Sequence, residues 1–196
     1  VVNDTYIVSA SEYGKNLGVV NLSYVPGAPV SLNSYELIPV DENVAEDERI
    51  AALVENYKTT VETDYLANYG VEYDEVVVNN PYQFENVKTI KSTSHETAVC
   101  NIFSDAYKWA AEKVTGKTVD MALTAAGVVR ESLPKGDVTV ADVFNAASLG
   151  VGTEGELVSV YITGKELKTA MEIDASVQPL MSSAQLYCSG VEYSFN

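Results

Sequence analysis

The chain has 196 residues, is 46% hydrophobic and 20% charged, and so suits one large domain or two small ones with a true apolar core. Its net charge of −16 comes without a Lys/Arg stripe, which argues against nucleic-acid binding, and its single His excludes a His-rich metal centre built from this chain alone. No run of about 18 apolar residues is present to span a membrane, and the acidic balance suits an extracellular or cell-envelope protein.

The start, VVNDTYIVSA, reads as a strand, so the chain is expected to begin inside a fold. TYIVSA, LGVVNLSY and SYELIPV alternate β-branched and aromatic residues between Gly, Asn and Pro turns and predict three strands. Composition then changes. Ile50, Leu53, Val54, Tyr57, Val61 and Tyr65 fall on one helical face behind an acidic start, predicting a helix from Glu46 to Asn68 with Gly70 as its stop. Tyr57, Tyr65, Tyr69 and Tyr73 are expected to serve packing rather than substrate stacking.

EYDEVVVNN predicts a further strand. Thr93 and Glu96 have capping-box spacing ahead of an apolar stripe of Ala98, Val99, Ile102, Phe103, Ala106, Trp109, Ala110 and Val114, which Gly116 ends. VDMALT and DVTV predict strands on either side of the loop AAGVVRESLPKG, and ADVFNAA a brief helix. The Gly-rich loop SLGVGTEGE, the strand LVSVYI, and a helix TGKELKTAMEID capped by Thr163 and Glu166 follow. The chain closes on a strand pair or bulged strand in QLYCSGVEYSF.

Few residues carry obvious chemistry. Cys100 and Cys188 read as small buried hydrophobes, or as a disulfide if the fold brings them together. His95 reads as a solvated residue at a helix start, with a catalytic or phosphate role as the alternative. GVGTEG lacks the Gly-Lys-Ser/Thr ending of a phosphate-binding P-loop, and no Gly-x-Ser-x-Gly elbow is present for a serine hydrolase. Arg130, one of two Arg in the chain, follows a run of small and β-branched residues. Pairing with Glu131 or Asp137 is one use for it; docking an anion is the other, since a guanidinium gives two parallel charge-assisted bonds to phosphate oxygens.

The order of these motifs resembles the C-terminal domain of the 5′-nucleotidase / 2′,3′-cyclic phosphodiesterase family. ETAVCNIFSDAY is similar to the family's helix opening, and VDMALTAAGVVRESLPKGDVTVADVF to its strand, Gly-rich loop ending in Ile-Arg, and following strand and helix. LVSVYITGKELKTAME resembles its strand and Thr-Gly-x-x-Leu helix, and LYCSGVEYSFN its Ser-Gly-x-x-Tyr strand. The resemblance implies an α+β (α/β-like) fold, a mixed sheet with packed helices. It divides the chain into a metallophosphoesterase-domain tail over 1–45, a linker helix over 46–70 and a C-terminal, substrate-binding domain over 71–196 that lacks its final aromatic segment.

The resemblance further implies that the whole protein is a secreted bacterial phosphoesterase acting on nucleotides or related small phosphate esters. The family's two divalent metals are held by motifs absent from this sequence, so no cofactor is expected in this chain, and the chain alone is expected to be inactive. Its expected partners are the phosphate ester and the metallophosphoesterase domain, with neither nucleic acid nor a membrane span. Carried onto this sequence, Arg130 takes the position of the family's phosphate-contacting Arg, with Gly127 before it. Leu149 and Gly150 fall in the family's Pro-Phe-Gly-Asn loop; Leu149 replaces the aromatic and Val151 the Asn, so phosphate recognition is expected to outlast base recognition. The alternative is a non-catalytic cell-surface binding or packing module derived from the same domain.

Overall fold

The structure, a computed structural model, describes residues 2–3, 5–149 and 156–195. The chain divides into two compact units, residues 1–57 and 58–196.

The first unit holds one antiparallel hairpin. β1 (Asn16–Ser23) pairs with β2 (Ser31–Pro39) from Asn16↔Pro39 to Ser23↔Ser31, with a bulge between Asn21 and Leu22. Of the three strands expected here, TYIVSA is not realised: it is irregular, apart from an isolated Val2–Thr5 bridge. A strand needs a lateral backbone partner as well as the right residues, and this segment has none among the described residues. The expected long helix is α1 (Glu48–Asp64). Its first amides are capped by Asp47, whose Oδ1 accepts from the backbone N–H of Arg49 at 2.9 Å and of Ile50 at 3.4 Å. A 3-10 turn, Leu66–Asn68, completes the predicted span.

The second unit holds the core. β3 (Val76–Asn80) pairs antiparallel with β5 (Gly136–Thr139), and β4 (Ala122–Ala125) with β6 (Leu186–Ser189). The helices are the short α2 (Val87–Ile90), which the sequence did not announce, α3 (Ala98–Thr115), α4 (Val140–Ala146) and α5 (Gly164–Val177). Ile90, Val99, Cys100, Phe103, Ala126, Val129, Leu133, Val138, Ala146 and Tyr187 form one buried cluster, with Phe84, Val143 and Ala147 packed on it. The α+β class therefore holds. In place of one mixed sheet, the described strands form three two-stranded antiparallel sheets.

Three further expectations are corrected. The Thr93–Glu96 capping box does not form; α3 begins at Ala98 after Thr97, and Thr93 Oγ1 accepts from the His95 N–H at 3.1 Å. His95 accordingly precedes the helix. Glu85 takes over part of the capping by accepting from the Ala98 N–H at 3.3 Å. The stripe of α3 is buried only along its first turns, at Val99, Cys100 and Phe103, while Trp109 is 65% exposed. LVSVYI is not a strand, and its described residues are exposed, for the same want of a partner. By contrast, Gly116 ends α3 in the left-handed region (φ 64°), and Thr163–Glu166 forms the predicted capping box on α5.

Candidate anion site

Arg130 stands on a loop whose backbone is held along its length. β4 ends at Ala125, and Ala126 donates its N–H to the Gln185 carbonyl at 2.9 Å, which carries the β4–β6 ladder one residue further. A 3-10 turn follows at Ala126–Val128, and its last bond is Val129 N–H to Ala126 O at 3.3 Å. Val129 is extended (φ −76°, ψ 115°), so successive side chains point to opposite sides. Val129 is buried in the core and Arg130 is exposed. The Arg130 N–H then bonds to the Ala146 carbonyl at 2.8 Å, at the last residue of α4. The small-residue run thus serves packing: its apolar members seat the loop in the core, and the guanidinium is left facing solvent from a fixed backbone.

Gly127 has a specific part in this. A Cβ there would lie 2.8 Å from the Ser183 carbonyl oxygen, so the loop approaches the 3-10 turn Ser182–Ala184 more closely than a side chain permits. The same turn reaches α2, because Ser182 Oγ donates to the Lys91 carbonyl. Lys91 is the C-cap of α2, directly after fully buried Ile90. Burial, and after it the Arg130 charge, push the Lys91 ammonium below its ordinary pKa, while Glu131 opposes them.

Neither carboxylate expected to pair with Arg130 forms an ion pair with it, and each accepts a hydrogen bond from another residue. Asp137 Oδ1 accepts from Asn79 Nδ2 at 2.7 Å, and Glu131 Oε1 from the Ser132 N–H at 3.0 Å. Among the described residues, Arg130 and Lys91 form no ion pair. Leu149 lies three residues beyond Ala146, in the segment that leaves α4 beside the Arg130 anchor, and is 51% exposed. Gly150 lies outside the described residues. Lys91 is part of no motif that the sequence displays; its place becomes visible only through the turn at 182–184.

The other singled-out residues sit apart from this chemistry. The exposed His95 offers its backbone carbonyl to Tyr187 Oη at 2.9 Å. Cys100 and Cys188 are free thiols, Cys100 fully buried; burial first of all pushes both pKa values up, which suits inert packing groups. Tyr65 is half-buried and meets Phe144 edge-on at 5.6 Å; Tyr73 lies under the Lys58 ammonium at 5.3 Å; Tyr57 and Tyr69 are exposed. A groove of about 740 Å³ runs between α5 and residues 191–195, lined by Leu167, Met171, Tyr193 and Phe195 among others. Buried Asp174 holds its wall, accepting from Tyr193 Oη at 2.6 Å, Gln178 Nε2 at 2.8 Å and the Leu186 N–H at 2.9 Å.

Among the described residues, no three His, Cys, Asp or Glu side chains converge to hold a metal ion, and they do not fit a two-metal centre. None of the described helices is long and apolar enough to cross a membrane.

These residues form a small α+β domain that carries a solvent-facing guanidinium on an anchored loop, and comparison with known proteins gives it a family. Residues 76–196 match the 5′-nucleotidase, C-terminal domain, and the chain belongs to that family. It is 28% identical over 200 residues to the trifunctional nucleotide phosphoesterase protein YfkN of Bacillus subtilis (strain 168), covering 100% of this chain and 13% of that protein. It is also 28% identical over 181 residues to the endonuclease YhcR of the same organism, covering 91% of this chain and 13% of that protein. The fold is similar to that of the 5′-nucleotidase precursor from Thermus thermophilus, with a TM-score of 0.60 and 21% identity over 93% of this chain and 33% of that one. The chain thus spans a small fraction of each relative's length.

Proposed function

We propose that this chain is the substrate-binding part of a secreted phosphoesterase acting on nucleotides or related phosphate esters, and that Arg130 anchors the phosphate. The observation that carries the reading is Arg130 itself: exposed, fixed at its backbone by Ala146, and without an ion-pair partner among the described residues. Family membership and the name of the phosphoesterase relative support the substrate class. Gly127 sets the height of the loop against Ser183, Leu149 supplies the apolar side of the site, and Gly150 is assigned to it by its place in the family's loop alone.

In this reading, residues 1–45 are the tail of a metallophosphoesterase domain, and 46–70 is the helix that links it to the substrate-binding domain. The metallophosphoesterase domain would hold two divalent metals, which would supply water activation and stabilisation of developing negative charge. The residues of this chain bind and orient the ester and do not hydrolyse it. Orientation of a bound ester against a separate metal centre lowers the barrier by fixing the line of attack.

Calorimetric titration of the chain with AMP and with inorganic phosphate, repeated on Arg130→Ala, tests the proposal. Saturable binding weakened about 10- to 100-fold by the substitution is the expected result, as removal of a charge-assisted bidentate contact requires. Equal binding by wild type and Arg130→Ala would overturn the assignment of Arg130. Absence of binding by the folded wild-type chain would favour the non-catalytic packing module.

A further inference from the structure

We propose that residues 157–162 are a self-pairing edge: two copies of this chain join through them as antiparallel strands, with Val160 opposite Val160 of the second copy on a twofold axis.

The segment LVSVYI has strand composition and contains no charge, Pro or Gly. All of it is exposed, and its apolar side chains range from 50% exposed at Ile162 to 98% at Tyr161. None of its amides or carbonyls has a backbone partner among the described residues. An unpaired row of this kind is a template for another strand, and proteins that keep such an edge free blunt it with Lys, Pro or a bulge. This one carries no such device. Its far end is held firmly, because Thr163 follows as the N-cap of α5 and closes a capping box with Glu166. The other strand-like segment without a ladder, TYIVSA, is already engaged: Tyr35 Oη donates to the Ser9 carbonyl, and Thr5 is bridged to Val2.

Pattern and charge favour a second copy as the occupant. With Val160 on the axis, Val158 falls opposite Ile162 and Ser159 opposite Tyr161. Alternate side chains of a strand point to opposite faces, so Val158, Val160 and Ile162 of both copies form one continuous β-branched face. Cross-strand pairs of that kind are the unit of sheet stabilisation. A slip by one residue would set this face against Ser159 and Tyr161, which specifies the register. The same register brings Glu156 opposite Gly164 of the second copy, at the start of α5 and next to Lys165. An anion is favoured at a helix N-terminus. Parallel pairing would instead set Glu156 against Glu156. A pair of short strands buries less than a standard interface, so the dimer is expected to dissociate with a constant on the order of 10–100 μM. Each copy carries a net charge of −16, so added salt should tighten the dimer by screening their repulsion.

Sedimentation equilibrium of the chain from about 1 to about 300 μM tests the proposal, a range that brackets a weak interface. The expected result is a monomer–dimer equilibrium that V160K weakens at least about tenfold, since two like charges would meet on the axis. Ile173→Lys changes an equally exposed apolar residue on α5 and is expected to leave the equilibrium unchanged. Both side chains are exposed, so neither variant threatens the fold. Under mild oxidation V160C is expected to give a disulfide-linked dimer. V158C is not, because Val158 meets Ile162 and not itself; wild type, with Cys100 and Cys188, is the control. A wild-type chain that stays monomeric would overturn self-pairing and leave the edge to a strand of different sequence. Dimerisation unaffected by V160K, association that continues past the dimer, or equal cross-linking of V158C and V160C would also overturn it.

Discussion

Gly127 and Gly190 are both glycines beside polar turns, and they differ in what a methyl group would meet. At Gly127 the backbone is one that any residue adopts, and the obstacle is the Ser183 carbonyl oxygen, 2.8 Å from the Cβ position. At Gly190 the backbone is left-handed (φ +84°), and a Cβ would lie 2.2 Å from the carbonyl oxygen of Asp120. Gly127→Ala should therefore cost about 1–2 kcal/mol, as a small overpacking that the loop can partly absorb by lifting from the 3-10 turn. Gly190→Ala combines overpacking with backbone strain and should cost about 3 kcal/mol or more. Urea denaturation of the two variants measures the order. The lifting matters for the proposed function, because the Arg130 loop rests on that turn. Gly127→Ala should weaken phosphate binding as well as stability, whereas Gly190→Ala should act on stability. A Gly127→Ala variant as stable as wild type would show that the close approach to Ser183 is not a constraint.

Among the elements, helix starts separate what a local pattern can specify from what it cannot. Thr163 and Glu166 satisfy each other's amides: Thr163 N–H donates to Glu166 Oε2 at 2.7 Å, and Glu166 N–H to Thr163 Oγ1 at 3.3 Å. Thr163→Ala should destabilise the protein by about 1 kcal/mol. Thr93 has the same spacing to Glu96 but supports only the turn at His95, so Thr93→Ala should cost less than about 0.5 kcal/mol. Denaturation midpoints of the two variants check the contrast, and equal losses would refute it. Both sites have the required residue types, and α3 starts later because Glu85, 13 residues before Ala98, supplies its acceptor from another segment. A local spacing cannot register such a partner. The same limit explains the strands. β1, β2, β3 and β5 were legible from alternation and turn residues, whereas TYIVSA and LVSVYI have strand composition but no neighbour among the described residues to pair with. Arg130 was legible because its motif is continuous in sequence. The tie between the Lys91 carbonyl and Ser182 was not, because its two ends lie 91 residues apart in the chain.

At the scale of the whole molecule, a phosphate approaching the Arg130 site meets two opposing fields. The chain carries 28 acidic against 12 basic residues, so the distant field repels anions, while Arg130 in its proposed role attracts one at contact. Salt separates the two by range. The Debye length falls from about 30 Å at 0.01 M salt to about 8 Å at 0.15 M, which removes most of the repulsion from remote carboxylates and leaves contact hydrogen bonds nearly intact. Phosphomonoester affinity should therefore hold steady or rise as sodium chloride increases over that range. Association should also quicken, because electrostatic steering here works against the ligand until it is screened. This is the reverse of a nucleic-acid-binding surface, where each phosphate contact releases counterions and affinity drops steeply with salt. Calorimetric titrations of phenyl phosphate at about 0.01, 0.05 and 0.15 M sodium chloride measure the sign. A steep fall would mean that the anion is bound by an extended basic surface, which neither the composition nor the position of Arg130 provides.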